Sequence, residues 1–171
     1  NASGWVLEAG SALSGNDNTD ADPEILVAIG ELSTSIGAAD ITEVEMVTTT
    51  ADKSEGFTIS VRVRYNEPVD VVTTGGTPTL AVTNDNSGTG SGRGPHTLSY
   101  ASGTGTNELI FSLAIAAANA ATNADDVLTV GAQTIALNSG TIKDASGTAS
   151  DAALVISGAV GTAAGSVTVT A

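Results

Sequence analysis

From residue 41 onward, apolar and polar positions alternate with a period of two. In FTISVRVRY (57–65) the odd positions Phe57, Ile59, Val61, Val63 and Tyr65 are apolar, and Thr58, Ser60, Arg62 and Arg64 lie between them. NELIFSLAI (107–115) repeats the pattern with Leu109, Phe111, Leu113 and Ile115. Such alternation buries one face of a strand and wets the other, as antiparallel sheets do. Shorter strands are expected at 43–48, 69–73, 79–83, 96–101, 127–130, 134–137, 153–157 and 166–170. Gly, Asn, Asp and Pro punctuate them, which is the mark of a β-sandwich or barrel. The break at Asn66-Glu67-Pro68 reads as a corner. Proline cannot donate a ladder hydrogen bond, so one strand is expected to end there and another to restart at Val69, with Glu67 and Asp70 in a solvated turn. NDNSGTGSGRGP (84–95) reads as a long loop, and AAANAATNADD (116–126) as a loop or a helical turn.

Residues 1–40 follow a different pattern and are expected to form an arm ahead of a domain at 41–171. GSALSGNDNTDAD (10–22) is a polar, turn-rich linker. In DPEILVAIGEL, Asp22 suits a helix N-cap, Pro23 the first helical position and Glu24 the first turn, which predicts a short helix over 23–30. Trp5, Val6 and Leu7, with Ile25, Leu26 and Ile29, are the apolar positions of this segment. They either tuck onto the chain's own surface or anchor the arm on a neighbouring subunit.

Composition narrows the chemistry. Only 3% of residues are aromatic, so the core must be built from Val, Ile and Leu. The formal net charge is −14, and the five cations (Lys53, Arg62, Arg64, Arg93 and Lys143) are dispersed along the chain. Nucleic acid is therefore not an expected partner, because phosphate binding needs clustered cations. No cysteine is present, which excludes disulfides and thiol chemistry. The longest apolar runs, 25–29 and 113–118, are too short to span a bilayer. The chain starts at Asn1 with no visible signal peptide, which suggests maturation or trimming.

No residue is expected to be catalytic. His96 is the single histidine, and no nucleophile elbow or triad pattern accompanies it. The carboxylate pairs Glu43/Glu45 and Asp125/Asp126 have the residue types of a glycosidase, but such sites lie in aromatic-lined clefts, so solvated faces are expected instead. No cofactor is expected, and a structural calcium ion is the one candidate. Its ligands would be Asp20, Asp22 and Glu24 in NDNTDADPE (16–24), with Asp144 as a separate position. An EF-hand loop started at Asn16 fails, because its sixth position is Ala21 and its twelfth is Val27.

Five short motifs occur in an order that resembles the bacterial immunoglobulin-like repeat of large extracellular adhesins. They are YNEPV (65–69), PTL (78–80), YASGT (100–104), LIF (109–111) and GTIKDASG (140–147). Thr148 stands where that family has Asn, and only one copy is present. Such modules also resemble the accessory domains of tailed-phage virions. The resemblance implies an all-β, immunoglobulin-like antiparallel β-sandwich carrying the N-terminal arm with its short helix. It implies a non-enzymatic virion structural protein, as capsid decoration, tail or fibre component, or else a bacterial surface protein acting as an adhesin module or a strand-exchanged filament subunit. The implied location is the virion or the cell surface. The implied partners are other virion or surface-assembly subunits, and host-surface glycans. A resemblance to tandem adhesins also implies calcium at linkers. A Lys–Asn crosslink, known from some surface immunoglobulin-like domains, would have to use Lys53 or Lys143.

Overall fold

The computed structural model describes residues 3–7, 24–29, 38–86, 94–145 and 149–171, and the chain divides into two compact units, 1–37 and 38–171. In the first unit Ser3–Leu7 (β1) pairs antiparallel with Glu24–Ile29 (β2), with a bulge between Trp5 and Val6. The expected helix over 23–30 is therefore a strand. The run ILVAI is rich in β-branched residues, which pack well on a pleated surface and lose rotamer freedom in a helix. Pairing with the apolar SGWVL outweighs a local helix-start signal.

The second unit contains Ile41–Met46 (β3), Ala51–Asp52 (β4), Phe57–Val72 (β5) and Thr79–Asn86 (β6). After these come His96–Ser102 (β7), Thr106–Ile115 (β8), Asp126–Thr129 (β9) and Gln133–Thr134 (β10). Thr141–Asp144 (β11), Val155–Ile156 (β12), the helix Gly158–Ala163 (α1) and Ser166–Thr170 (β13) complete it. The hydrogen-bonded order is β11-β5-β8-β7-β6-β9-β13-β4, with β3 also on β5 and β10 paired separately with β12.

This is one strongly curled sheet, a half-barrel, and the expected two-sheet immunoglobulin-like sandwich is not formed. The reason lies in how β5 and β6 are paired along their length. β5 carries β3 beside residues 61–65 and β11 beside residues 69–72, while β8 runs along its other edge. β6 pairs with β7 through Thr79–Val82 and with β9 through Thr83–Asn86. The hand-over on β5, and the flanking of β6 by β7 and β9, continue the ladder where a sandwich would break it into two layers. Bulges at Ile41/Glu43, Arg64/Val69 and Tyr100/Ser102 add local twist and curl. Nor is the sheet wholly antiparallel, since β4 joins β13 in parallel.

Pro68 is accommodated by this hand-over. The expected corner does not form, and residues 57–72 make one continuous strand. Pro68 lies in the gap between the last residue paired with β3 and the first paired with β11, where a ladder donor is not required. Asn66 N–H donates to the Asp40 carbonyl at 2.9 Å, and Asn66 Oδ1 accepts from Asp40 N–H at 2.8 Å. The Pro68 carbonyl accepts from Ala145 N–H at 3.0 Å.

The concave face holds the core. Val61, Val63, Tyr65, Leu80, Val82, Leu98, Leu109, Phe111, Leu128 and Val169 are all buried, which realises the period-2 pattern of β5 and β8. Tyr65 OH donates to the Ala153 carbonyl at 3.1 Å, and burial pushes its pKa up. α1 is a single short helix capped by Ser157, whose Oγ accepts from Val160 N–H at 3.3 Å.

The tight link between β7 and β8 depends on Gly103. Its φ is +116°, and a Cβ there would sit 1.9 Å from the Glu108 carbonyl oxygen. Gly131 also has positive φ, +65°, but a Cβ there would meet nothing within 4 Å. Gly103→Ala is expected to cost about 1–3 kcal/mol in backbone strain alone, with the clash added. Gly131→Ala should cost only the left-handed penalty of about 1–2 kcal/mol. Urea unfolding of the two variants checks the order, and equal losses would contradict it.

Candidate functional site

Three polar arrangements and one apolar strand pair stand out. The first lies on the convex side of β3, β5 and β8. Register places Glu45 opposite Arg62, and Glu43 and Glu108 on either side of Arg64. Arg62 pairs with Glu45 and lies 3.5 Å from Glu108, while Arg64 pairs with Glu43 and, at 2.7 Å, with Glu108. Two guanidiniums thus serve three carboxylates, so this patch is not a phosphate site, and Glu43 and Glu45 lie on a solvent-exposed face where each is paired with an arginine. Cross-strand opposite charges set the pairing, and surface exposure keeps each pair weak.

The second is a buried node at one end of the concave face. Asn84 on β6, His96 on β7 and Asp126 on β9 lie on the same inward face, and Thr122 comes from the segment joining β8 to β9. Asp126 is 0% exposed and His96 5%. The expected solvated pair Asp125/Asp126 is therefore split: Asp125 is exposed with φ of +68°, and Asp126 is fully buried. Asn84 Nδ2 donates to the Ala121 carbonyl at 2.6 Å and approaches His96 Nε2 at 3.3 Å. Thr122 Oγ1 lies 3.1 Å from the same nitrogen. Asp126 Oδ2 accepts from Asn123 N–H at 2.7 Å. Burial lowers the His96 pKa, and the Asp126 charge partly offsets this.

The third gathers Glu67 on β5, Asp144 on β11 and Asp40. Glu67 is half-buried at the strand's bulge, away from the solvated turn expected for it. Its carboxyl is raised above the usual range, first by burial and then by the charges of Asp144 and Asp40. Asp144, a calcium candidate, is buried at the end of β11, and its N–H donates to the Ser150 carbonyl at 2.8 Å. Of the other calcium candidates, Asp20 and Asp22 lie outside the described residues, and Glu24 opens β2 opposite Leu7. Among the described residues, no three His, Cys, Asp or Glu side chains are placed to hold a metal ion.

The arm residues are brought together by β1–β2 pairing, with Trp5 opposite Val27, Val6 opposite Ile25, and Ile29 opposite Ser3. In the second unit, a groove of about 520 Å³ runs between β3 and α1, lined by Thr42–Glu45 and by Ala159, Val160 and Ala163. α1 shields part of this sheet edge, where Met46 N–H donates to the Ala164 carbonyl at 2.8 Å. Each of the two lysines has a polar partner. Lys53 Nζ donates to the Asn119 main-chain carbonyl, and Lys143 pairs with Asp151 at 3.1 Å. The Asn119 side chain itself accepts from Ala121 N–H at 2.8 Å.

No protein-family model, no curated protein and no solved structure matches this chain. Among the described residues, no helix is long and apolar enough to cross a membrane.

Sequence reasoning missed Asn84 and Thr122 and placed Asp126 on a solvated face. Asn84 lies dozens of residues before Thr122 and Asp126, and only the β6–β9 register and the turn of 116–125 join them. The available signal was parity: Asn84 shares the inward phase of Leu80 and Val82, and Asp126 that of Leu128.

The ladder generates a pH prediction. The Glu108 carboxyl lies below its ordinary value of 4.5, chiefly through its hydrogen bond from Arg64 and further through the Arg62 charge. A depressed carboxylate contributes stability that is present above the unfolded value and lost as pH falls through the folded one. Arg64→Gln should therefore move the Glu108 midpoint upward in a carboxyl-detected NMR titration, with little change in melting temperature at neutral pH. An unchanged midpoint would contradict the pairing.

Proposed function

We propose that this chain is a non-enzymatic structural component of a tailed-phage virion, as capsid decoration, tail or fibre protein. It docks through its N-terminal unit and displays the curled β unit. The observation that carries this reading is the β1–β2 pair. Its strands, SGWVL and EILVAI, are almost wholly apolar in sequence, and the described residues give them no third strand. Two strands alone are marginal in water, and such a pair gains stability by adding to a further strand or surface. Anchoring of this kind rests on a few apolar residues, and Trp5, Val6, Leu7, Ile25, Leu26 and Ile29 are the ones assigned to it. The display role draws support from the second unit, where Arg62, Arg64 and Lys143 are engaged within the chain and leave an acidic exterior.

The same open edges favour one other reading, a bacterial surface protein whose copies exchange strands in a filament or adhesin. Solution mass separates the two. Under the virion reading the full chain is a monomer at micromolar concentration, and its gene lies beside capsid and portal genes. Oligomers abolished by the double substitution Val6→Glu and Ile25→Glu, which places two like charges opposite each other in register, would favour strand exchange. Hydrolysis of a polysaccharide by the purified chain would overturn both.

A further inference from the structure

We propose that His96 is an acid-released latch that holds the 116–125 segment across one end of the curled sheet. The hydrogen bonds fix its chemical state. Asn84 Nδ2 lies 2.6 Å from the Ala121 carbonyl oxygen, so the amide must present its nitrogen there, because the flipped amide would set two acceptors against each other. The same nitrogen faces His96 Nε2. It can only donate, so Nε2 is an acceptor, the ring is neutral, and its proton sits on Nδ1. Thr122 Oγ1, 3.1 Å from Nε2, shares that nitrogen's single lone pair with Asn84 in a three-centre bond. The ring on β7 thus receives one donor from β6 and one from the segment, and Asn84 ties the segment a second time at Ala121.

A proton on Nε2 turns this acceptor into a donor. It then opposes Asn84 Nδ2, and the amide cannot flip to receive it without losing the Ala121 bond. Thr122 can rotate to accept, so the node does not vanish, but its link through Asn84 breaks. Among the described residues the charged group facing the ring is Asp126 on β9, which favours the imidazolium and opposes release. Asp85 on β6 and Asp125 at the end of the segment are exposed. Lys53 holds the segment at the Asn119 carbonyl, and Asp125 N–H donates to the Val169 carbonyl at 2.8 Å. Neither bond involves the ring. Acid is therefore expected to loosen the middle of the segment around Ala121 and Thr122 and to leave both ends attached.

The sign follows from burial outweighing the carboxylate, which places the folded pKa of His96 below the ordinary 6.5. The neutral ring's contribution is complete above the unfolded value and is lost as pH falls through the lower folded one.

The test uses the full chain. His96 is the only histidine, so its ring proton gives one NMR titration curve. Amide exchange at residues 120–123 is followed in parallel from pH 7.5 to 4.5, corrected for the intrinsic pH dependence of exchange. The ring should titrate below 6.5, and exchange at these amides should rise by about tenfold or more across the same midpoint. His96→Gln, whose side-chain oxygen still accepts, should remove the step. Asn84→Ala, which deletes the one donor to Nε2 that cannot turn to accept, should raise the ring's midpoint. A ring midpoint at or above 6.5, a flat exchange profile, or a step that survives His96→Gln would overturn the latch. A step lost only in Asp126→Asn would assign acid sensing to the carboxylate and likewise overturn it.

Discussion

The fold depends on β5 being shared. A sixteen-residue strand with β8 on one edge must present its other edge to more than one neighbour, and it does so with β3 and then β11. The change-over needs a place where the ladder is interrupted, and Asn66-Glu67-Pro68 supplies it. A proline there forfeits nothing, because neither neighbour requires its donor. The bulge turns the strand, and the turn curls the sheet. β6 lies between β7 on one edge and β9 on the other, so the ladder continues to β4. The apolar phase of every strand then faces one concave core.

This explains which parts were legible. Period-2 alternation located β8, β6, β7, β9 and β13 within a few residues, and β5 as two pieces, because each is half-buried on a single curled face. Layering was not legible. A sandwich and a half-barrel ask the same alternation of each strand, and they differ only in who pairs with whom at residues 65–69 and 82–83. Pro68 was read as a corner because the rule against proline in a ladder is local, whereas the gap that excuses it is made by Asp40 and Ala145, each more than twenty residues away. The arm failed differently. Asp22 and Pro23 signal a helix start, but the run that follows is β-branched, and a partner strand some twenty residues earlier decided the outcome. α1 went unread because Gly and Ala give it no periodic apolar stripe, and only Ser157 marks its start.

The candidate sites show the same limit. The Glu43/Glu45 alternation is visible in sequence, but its neutralisation by Arg62 and Arg64 is a matter of register. Asp125 and Asp126 look like one acidic pair, yet left-handed backbone at Asp125 sends the two carboxylates to different environments. Such a node is costly to bury, and its hydrogen bonds specify one arrangement of the segment above it. Among the described residues, Glu43, Glu45, Arg62, Arg64 and Glu108 face outward as a paired ladder, while Asn84, His96 and Asp126 turn inward, where Asn84 Oδ1 and Asp126 Oδ1 are buried without a hydrogen-bond partner.

The shared-strand architecture is most directly tested by cross-strand proton contacts in β6. NMR of the full chain should show Thr79–Val82 in contact with His96–Ser99 and, on the same strand, Thr83–Asn86 in contact with Asp126–Thr129. Both sets together mean that the ladder passes through β6 unbroken and that the sheet is one curled layer. Loss of the second set, with β9 and β13 stacked across the core from β6, would mean two layers and would contradict the account.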